Sequence, residues 1–218
     1  MAGQQERARR TRASIVESAA AEFAKSGYAA ASLNRILERS NATKGAMYFH
    51  FGSKEDLARA VLKEAMIRYR HTTDRWVART ELEPLEALHG IIDEIALRFQ
   101  RESVVQAEFR LIVEPDFYAD VQAGAASGWG RVAIVLAEQA KERGHLRADA
   151  DVAKFTRVLG AALAGQRYMG DLLTQSEDIR PRFEESMEVI IQAVATPEWW
   201  ARFQRDGWQT GASVDDLE

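Results

Sequence analysis

Apolar positions recur at intervals of three and four residues through almost all of this 218-residue chain. That spacing lines one face of an α-helix. No run of alternating or β-branched residues bounded by turn formers competes with it. The fold expected is all-α, with a small N-terminal head of three short helices ahead of a larger helical body.

Punctuation residues set the expected helix ends. A first helix runs from about Arg7 to Ser26, with Ile15, Ala19 and Phe23 facing inward and Gly27 closing it. Ser32 caps a short helix holding Leu33, Ile36 and Leu37. Thr43 caps another reaching about Phe49, and Ser53 with Asp56 forms a capping-box pattern opening a fourth that continues to about Val77. In the body, Pro84 opens a fifth helix, and a sixth from Val104 to Val113 stops before Pro115. Beyond a Gly-, Ala- and Ser-rich stretch, helices are expected near Trp129–Arg143, Asp149–Thr174 and Pro181–Ala195. PEWWARFQRDGW suits a last short one. The division expected is a head over 1–52, a body over 53–210 and a disordered tail over 211–218.

Charge sharpens this division. The net charge of -4 hides 13 Lys and Arg against 7 Asp and Glu in the first 70 residues, a local excess of +6. A basic head on an acidic body points to a polyanion met by the head alone. The absence of cysteine removes disulfides, zinc fingers, iron–sulfur centres and thiol catalysis. The polar, basic N-terminus lacks the apolar core of a secretory signal, and no apolar run approaches a membrane span. A soluble, cytoplasmic protein with no membrane partner is therefore expected.

Two helix starts in NATKGAMYFHFGSKEDL differ in a telling way. Lys54, Glu55 and Asp56 follow Ser53, so carboxylates satisfy that helix end from within. Lys44, Gly45 and Ala46 follow Thr43 with no acid, which leaves the end open to an outside anion such as DNA phosphate. Two short helices separated by a few residues have the helix-turn-helix layout. Lys44 can reach guanine acceptors or phosphate, and Gly45 permits close approach to base edges. Tyr48 and His50 offer donors to the backbone, while Ser32, Thr43, Met47 and Lys54 complete the candidate DNA-contact set. Phe49 and Phe51 are assigned to packing within the head. Arg7, Arg9, Arg10 and Arg12 either add phosphate contacts or form a solvated face.

IVESAAAEFAKSGYAAASLNRILERS followed by TKGAMYFHFGSKEDL resembles the DNA-binding region of TetR-family transcriptional repressors, over about Arg9 to Leu62. The resemblance implies a homodimer on a double-stranded, palindromic DNA operator. It also implies a helical C-terminal domain that holds a small-molecule effector and the pairing surface. FHFGSKEDLA, AEFRLIVE and a single Trp before the next helix are similar to the γ-butyrolactone receptor branch, whose members sense small lactones, furans or butenolides. That similarity implies a ligand-pocket role for Trp129. A TetR-type regulator of efflux or catabolic genes, sensing a drug or metabolite, is the alternative.

Within the body, helix phase alone nominates Phe109, Val113, Val132, Gln166 and Met169 as further ligand contacts, with ordinary core packing as the competing assignment. Gln166 stands in an apolar stripe and needs a hydrogen-bond partner if buried. The stripes Phe155, Val158, Leu159, Leu163 and Phe183, Met187, Ile190, Ile191 are broad enough to pair with a second copy. Enzyme motifs fail on context. GWGRVA lacks a preceding strand, the four histidines have no metal-ligand spacing, and no catalytic set assembles. No cofactor or metal is called for.

Overall fold

The computed structural model describes residues 2–117, 119, 129–172, 178–211 and 213. Among these it contains ten α-helices: α1 (Ala2–Ala30), α2 (Leu33–Ser40), α3 (Lys44–His50), α4 (Lys54–Val77), α5 (Pro84–Arg101), α6 (Ser103–Leu111), α7 (Trp129–Glu142), α8 (Val152–Leu172), α9 (Arg180–Gln192) and α10 (Pro197–Asp206). A 3-10 turn over Pro115–Phe117 follows α6. Extended pairing among the described residues is confined to one antiparallel bridge between Leu146 and Ala195. No helix in the described residues is long and apolar enough to cross a membrane.

One compact unit comprises residues 1–68 and 101–124. Ile15, Val16, Ala19, Ala20 and Phe23 form the buried face of α1, three to four residues apart as an amphipathic helix requires. The helix begins at Ala2, earlier than the sequence suggests, and breaks at Gly27. There φ is 71° and ψ 176°, a left-handed backbone that glycine adopts without strain. Along α1 lies α6, which buries Val104, Val105, Ala107, Phe109 and Leu111. Arg68 of α4 fastens the pair: it donates to Glu17 of α1 at 2.5 Å and to Glu102, just before α6, at 2.7 Å. Phe117 is fully buried in this unit, with the Arg59 guanidinium 5.9 Å from its ring centre.

Residues 69–100 and 125–218 form the other unit. Its core gathers Trp76 from α4, Leu85, Leu88 and Ile91 from α5, Leu136 from α7, Phe155 and Leu159 from α8, and Phe183, Met187 and Ile191 from α9. A Cβ at Gly90 would lie 2.4 Å from the Trp76 ring, so the absent side chain is what admits the indole. Trp76 Nε1 donates to Glu94 at 2.7 Å, Thr72 Oγ1 donates to it at 2.6 Å and Arg98 Nε at 3.0 Å. Arg75 is a further partner of this carboxylate. A fully buried carboxylate is tolerable only when surrounded by donors in this way.

After α10 the chain turns at Gly207, where φ is 65°. Trp208 then stacks on His89 of α5, with ring centres 4.4 Å apart and planes within 4°, and Thr210 Oγ1 donates to the Glu86 carbonyl at 3.3 Å. The apolar stripes expected to pair with a second copy divide in two. Phe155, Leu159, Leu163, Phe183, Met187 and Ile191 are buried within this unit and Ile190 is half-buried, whereas Val158 is exposed, as are Tyr168 and Val189, which lie outside the expected stripes. Of the tail expected to be disordered, residues 212 and 214–218 lie outside the described residues.

Candidate nucleic-acid interface and effector region

Glu22 sets the start of the helix-turn-helix. Its carboxylate accepts from the Ser32 backbone N–H at 3.0 Å, from Arg35 Nε at 2.9 Å and from Ser26 Oγ at 3.4 Å, so the end of α1 holds the first turn of α2. The Ser32 N–H and then the Arg35 guanidinium outweigh the opposing effect of burial and keep the Glu22 pKa below its ordinary value. Sequence reasoning alone assigns Glu22 no role. Its signal is an acid on the same helical face as Ile15, Ala19 and Phe23, where an unpaired charge would be costly. Ser32 Oγ caps α2 by accepting from Arg35 N at 3.5 Å. Asn41 then turns the chain with φ 51°, and Ala42 N donates back to Leu37 O at 3.1 Å.

Thr43 Oγ1 accepts from Ala46 N at 3.1 Å, and the first turn of α3 contains no acidic residue. Met47 points inward and is fully buried, followed one turn later by buried Phe51. Gly45 and Phe49 lie on the opposite side and are exposed, as are Lys44 and Tyr48. Two assignments therefore change places. Met47, expected at DNA, belongs to the core of the head, and Phe49, expected in the core, is 80% exposed. A seven-residue helix is too short for apolar periodicity to fix its phase, and ring size favoured the wrong residue. At about 1.5 Å per residue α3 is roughly 10 Å long, a fit to a major groove about 12 Å wide.

His50 is half-buried, with its ring 5.0 Å from that of Phe49 and 6.2 Å from that of Phe51. Ser53 Oγ accepts from Asp56 N at 3.0 Å, closing the start of α4 from within the chain. The Lys54 ammonium donates to Ala29 O at 3.1 Å and lies 4.9 Å from the Tyr28 ring centre. Burial lowers its pKa, with Glu22 opposing. Lys54 therefore braces the end of α1 and retains further N–H donors for a phosphate. Arg7 and Arg9 are exposed, Arg10 pairs with Glu6 at 3.1 Å, and the Arg12 guanidinium lies 5.1 Å from the Phe51 ring centre.

The effector candidates fall in both units. Phe109 is buried in α6 and Val113 is exposed beyond it, both in the first unit. In the second, Val132 of α7 lines a groove of about 440 Å³ together with Trp76, Val77, Leu82, Val135 and Leu136. Gln166 and Met169 are not among the groove's lining residues. Gln166 Nε2 donates to Ser186 Oγ at 3.1 Å, the partner its position demands, and Met169 is half exposed. Trp129 opens α7, but its side chain, like residues 120–128, lies outside the described residues.

The family profile for bacterial regulatory proteins of the tetR family matches residues 15–61. The A-factor receptor protein of Streptomyces griseus is 29% identical over 93% of this chain and 70% of its own length. TylP, a TetR regulator from Streptomyces fradiae, superimposes with a TM-score of 0.64 at 32% identity, covering 91% of this chain and 85% of its own. An ArpA-like γ-butyrolactone receptor superimposes with a TM-score of 0.71 at 26% identity, over 90% of this chain and 93% of its own. The helix-turn-helix and the helical body thus agree with similarity that runs through both, and the chain belongs to the TetR family of bacterial transcriptional regulators.

Proposed function

We propose that the protein is a dimeric, ligand-responsive transcriptional repressor. Residues 1–52 make the DNA contacts, and residues 53–210 carry effector binding and pairing. The observation that carries this reading is the outer face of α3, where Lys44, Gly45 and Tyr48 stand exposed above a first turn without acid. Phosphate contacts from Thr43, Lys44, Tyr48 and His50 set the register, and Lys44 with Gly45 approaches base edges. Exposed Val158 and Tyr168 on α8 and Val189 on α9 support pairing with a second copy through these two helices. Two heads about 34 Å apart then require a palindromic operator.

The names of the relatives, A-factor receptor and γ-butyrolactone receptor, favour a small lactone, furan or butenolide as the effector. Release requires that the effector bind the DNA-free conformation more tightly, and a hundredfold preference corresponds to about 2.7 kcal/mol. The test is operator binding by the full-length protein on duplexes from its own promoter region, followed by challenge with γ-butyrolactones, furans and butenolides. Release by one of these is expected, and Trp129→Ala should keep DNA binding while blunting release. Release by hydrophobic drugs alone would move the protein to the efflux regulators. Absence of binding to any duplex would remove the repressor reading.

A further inference from the structure

We propose that Phe49 reads the 5-methyl group of a thymine in the major groove, which makes that methyl a recognition element of the operator. This rests on the DNA-binding reading and deepens it. A single exposed apolar side chain needs no explanation by itself. Phe49 differs in degree and in place. At 80% it is the most exposed large hydrophobic residue among the described ones, and it stands on α3 beside exposed Tyr48 and one turn after exposed Gly45.

The head does not need this ring for its own packing, because Met47 and Phe51 supply the inner side of the helix. One turn before Phe49 stands Gly45, where a Cβ would meet nothing nearer than Thr43 Oγ1 at 3.9 Å. Gly45 therefore places no side chain on the helix surface one turn N-terminal to the ring, whose recorded aromatic neighbour is His50 at 5.0 Å. A phenyl ring has neither donor nor acceptor, so it cannot distinguish bases through their hydrogen-bonding edges. The apolar feature of a major-groove edge is the thymine methyl. In a basic head facing a polyanion, that methyl is the group whose burial against Phe49 is favourable.

Burying one methyl corresponds to about a fourfold gain in affinity per half-site, and about fifteenfold for two symmetric half-sites. The experiment selects a high-affinity duplex from a random-sequence pool with the full-length protein, then replaces each thymine in turn by deoxyuridine. This removes the methyl and leaves base pairing unchanged. The expected result is one thymine per half-site whose replacement weakens binding by about the stated factor, with the others nearly neutral. In Phe49→Ala, which alters a side chain already in solvent, thymine and deoxyuridine at that position should bind equally. Phe49→Leu should keep part of the discrimination. Tight binding without any deoxyuridine effect, or an effect that persists in Phe49→Ala, overturns the role of Phe49 and leaves DNA binding intact. Failure to enrich any duplex overturns the DNA-binding reading itself.

Discussion

The ring of Tyr28 meets that of Phe117 edge-on, with centres 5.0 Å apart and planes at 90°. Lys54 lies 4.9 Å from the same Tyr28 ring centre, so the tyrosine stands between the 3-10 turn after α6 and the first turn of α4. Edge-to-face aromatic pairs and cations over ring faces both follow the ring quadrupole. Because Phe117 is fully buried, Phe117→Ala should destabilise the first unit by about 3–5 kcal/mol. Denaturant unfolding would give the loss, and hydrogen exchange should quicken first in α1 and α6. Phe117→Leu should cost much less.

Lys44→Ala should weaken operator binding and lower its salt dependence. Removing one charge from the phosphate backbone's partners reduces the slope of log affinity against log salt by about one. Binding titrations at several salt concentrations would measure it. An unchanged slope would show that Lys44 does not neutralise phosphate.

The contrast between Lys44 and Met47 shows what was legible in the sequence. Ser32, Thr43 and Ser53 are caps because a side-chain oxygen before an amide run is a local arrangement, and all three are found capping. The faces of α3 were not legible, since seven residues span barely two turns and Met47 and Phe49 differ by only two positions. Nor does an apolar stripe name its partner. Nothing in AEFRLIVE says that its helix lies along α1, or that Glu22 waits beneath Ser32. The Gln166 partner was foreseeable as a need, while its identity as Ser186 required the packing of α8 against α9.

Glu22→Gln keeps the shape of the latch and removes its charge, at a cost of about 1–3 kcal/mol. The sign with pH follows from the lowered pKa. The stabilisation is fully present above the ordinary carboxylate value and is lost as pH falls through the lower folded-state value. Melting curves across the acid range should show a steeper decline for the native chain than for Glu22→Gln. Parallel curves would mean that the latch carries no linked proton.

Gly90→Ala would ordinarily stabilise a helix by about 1 kcal/mol. Here the added methyl would lie 2.4 Å from the Trp76 ring and force the indole off its place over α5. Overpacking of this kind costs about 1–3 kcal/mol, so the net effect should be a loss. Thermal melting and a shift in tryptophan emission would register it. Trp76→Phe in the same background should recover part of the stability.

Engineered sensors are often assembled by exchanging the DNA-reading end of one regulator for that of another. In this chain a splice at residue 52 would leave Ile15, Phe23 and their neighbours without the helix Ser103–Leu111 that lies along them, and would strand Glu17 without Arg68. A graft that preserves the native fit must carry two separate stretches, residues 1–68 and 101–117. The transferable module is a patchwork in the gene although its parts lie together in space.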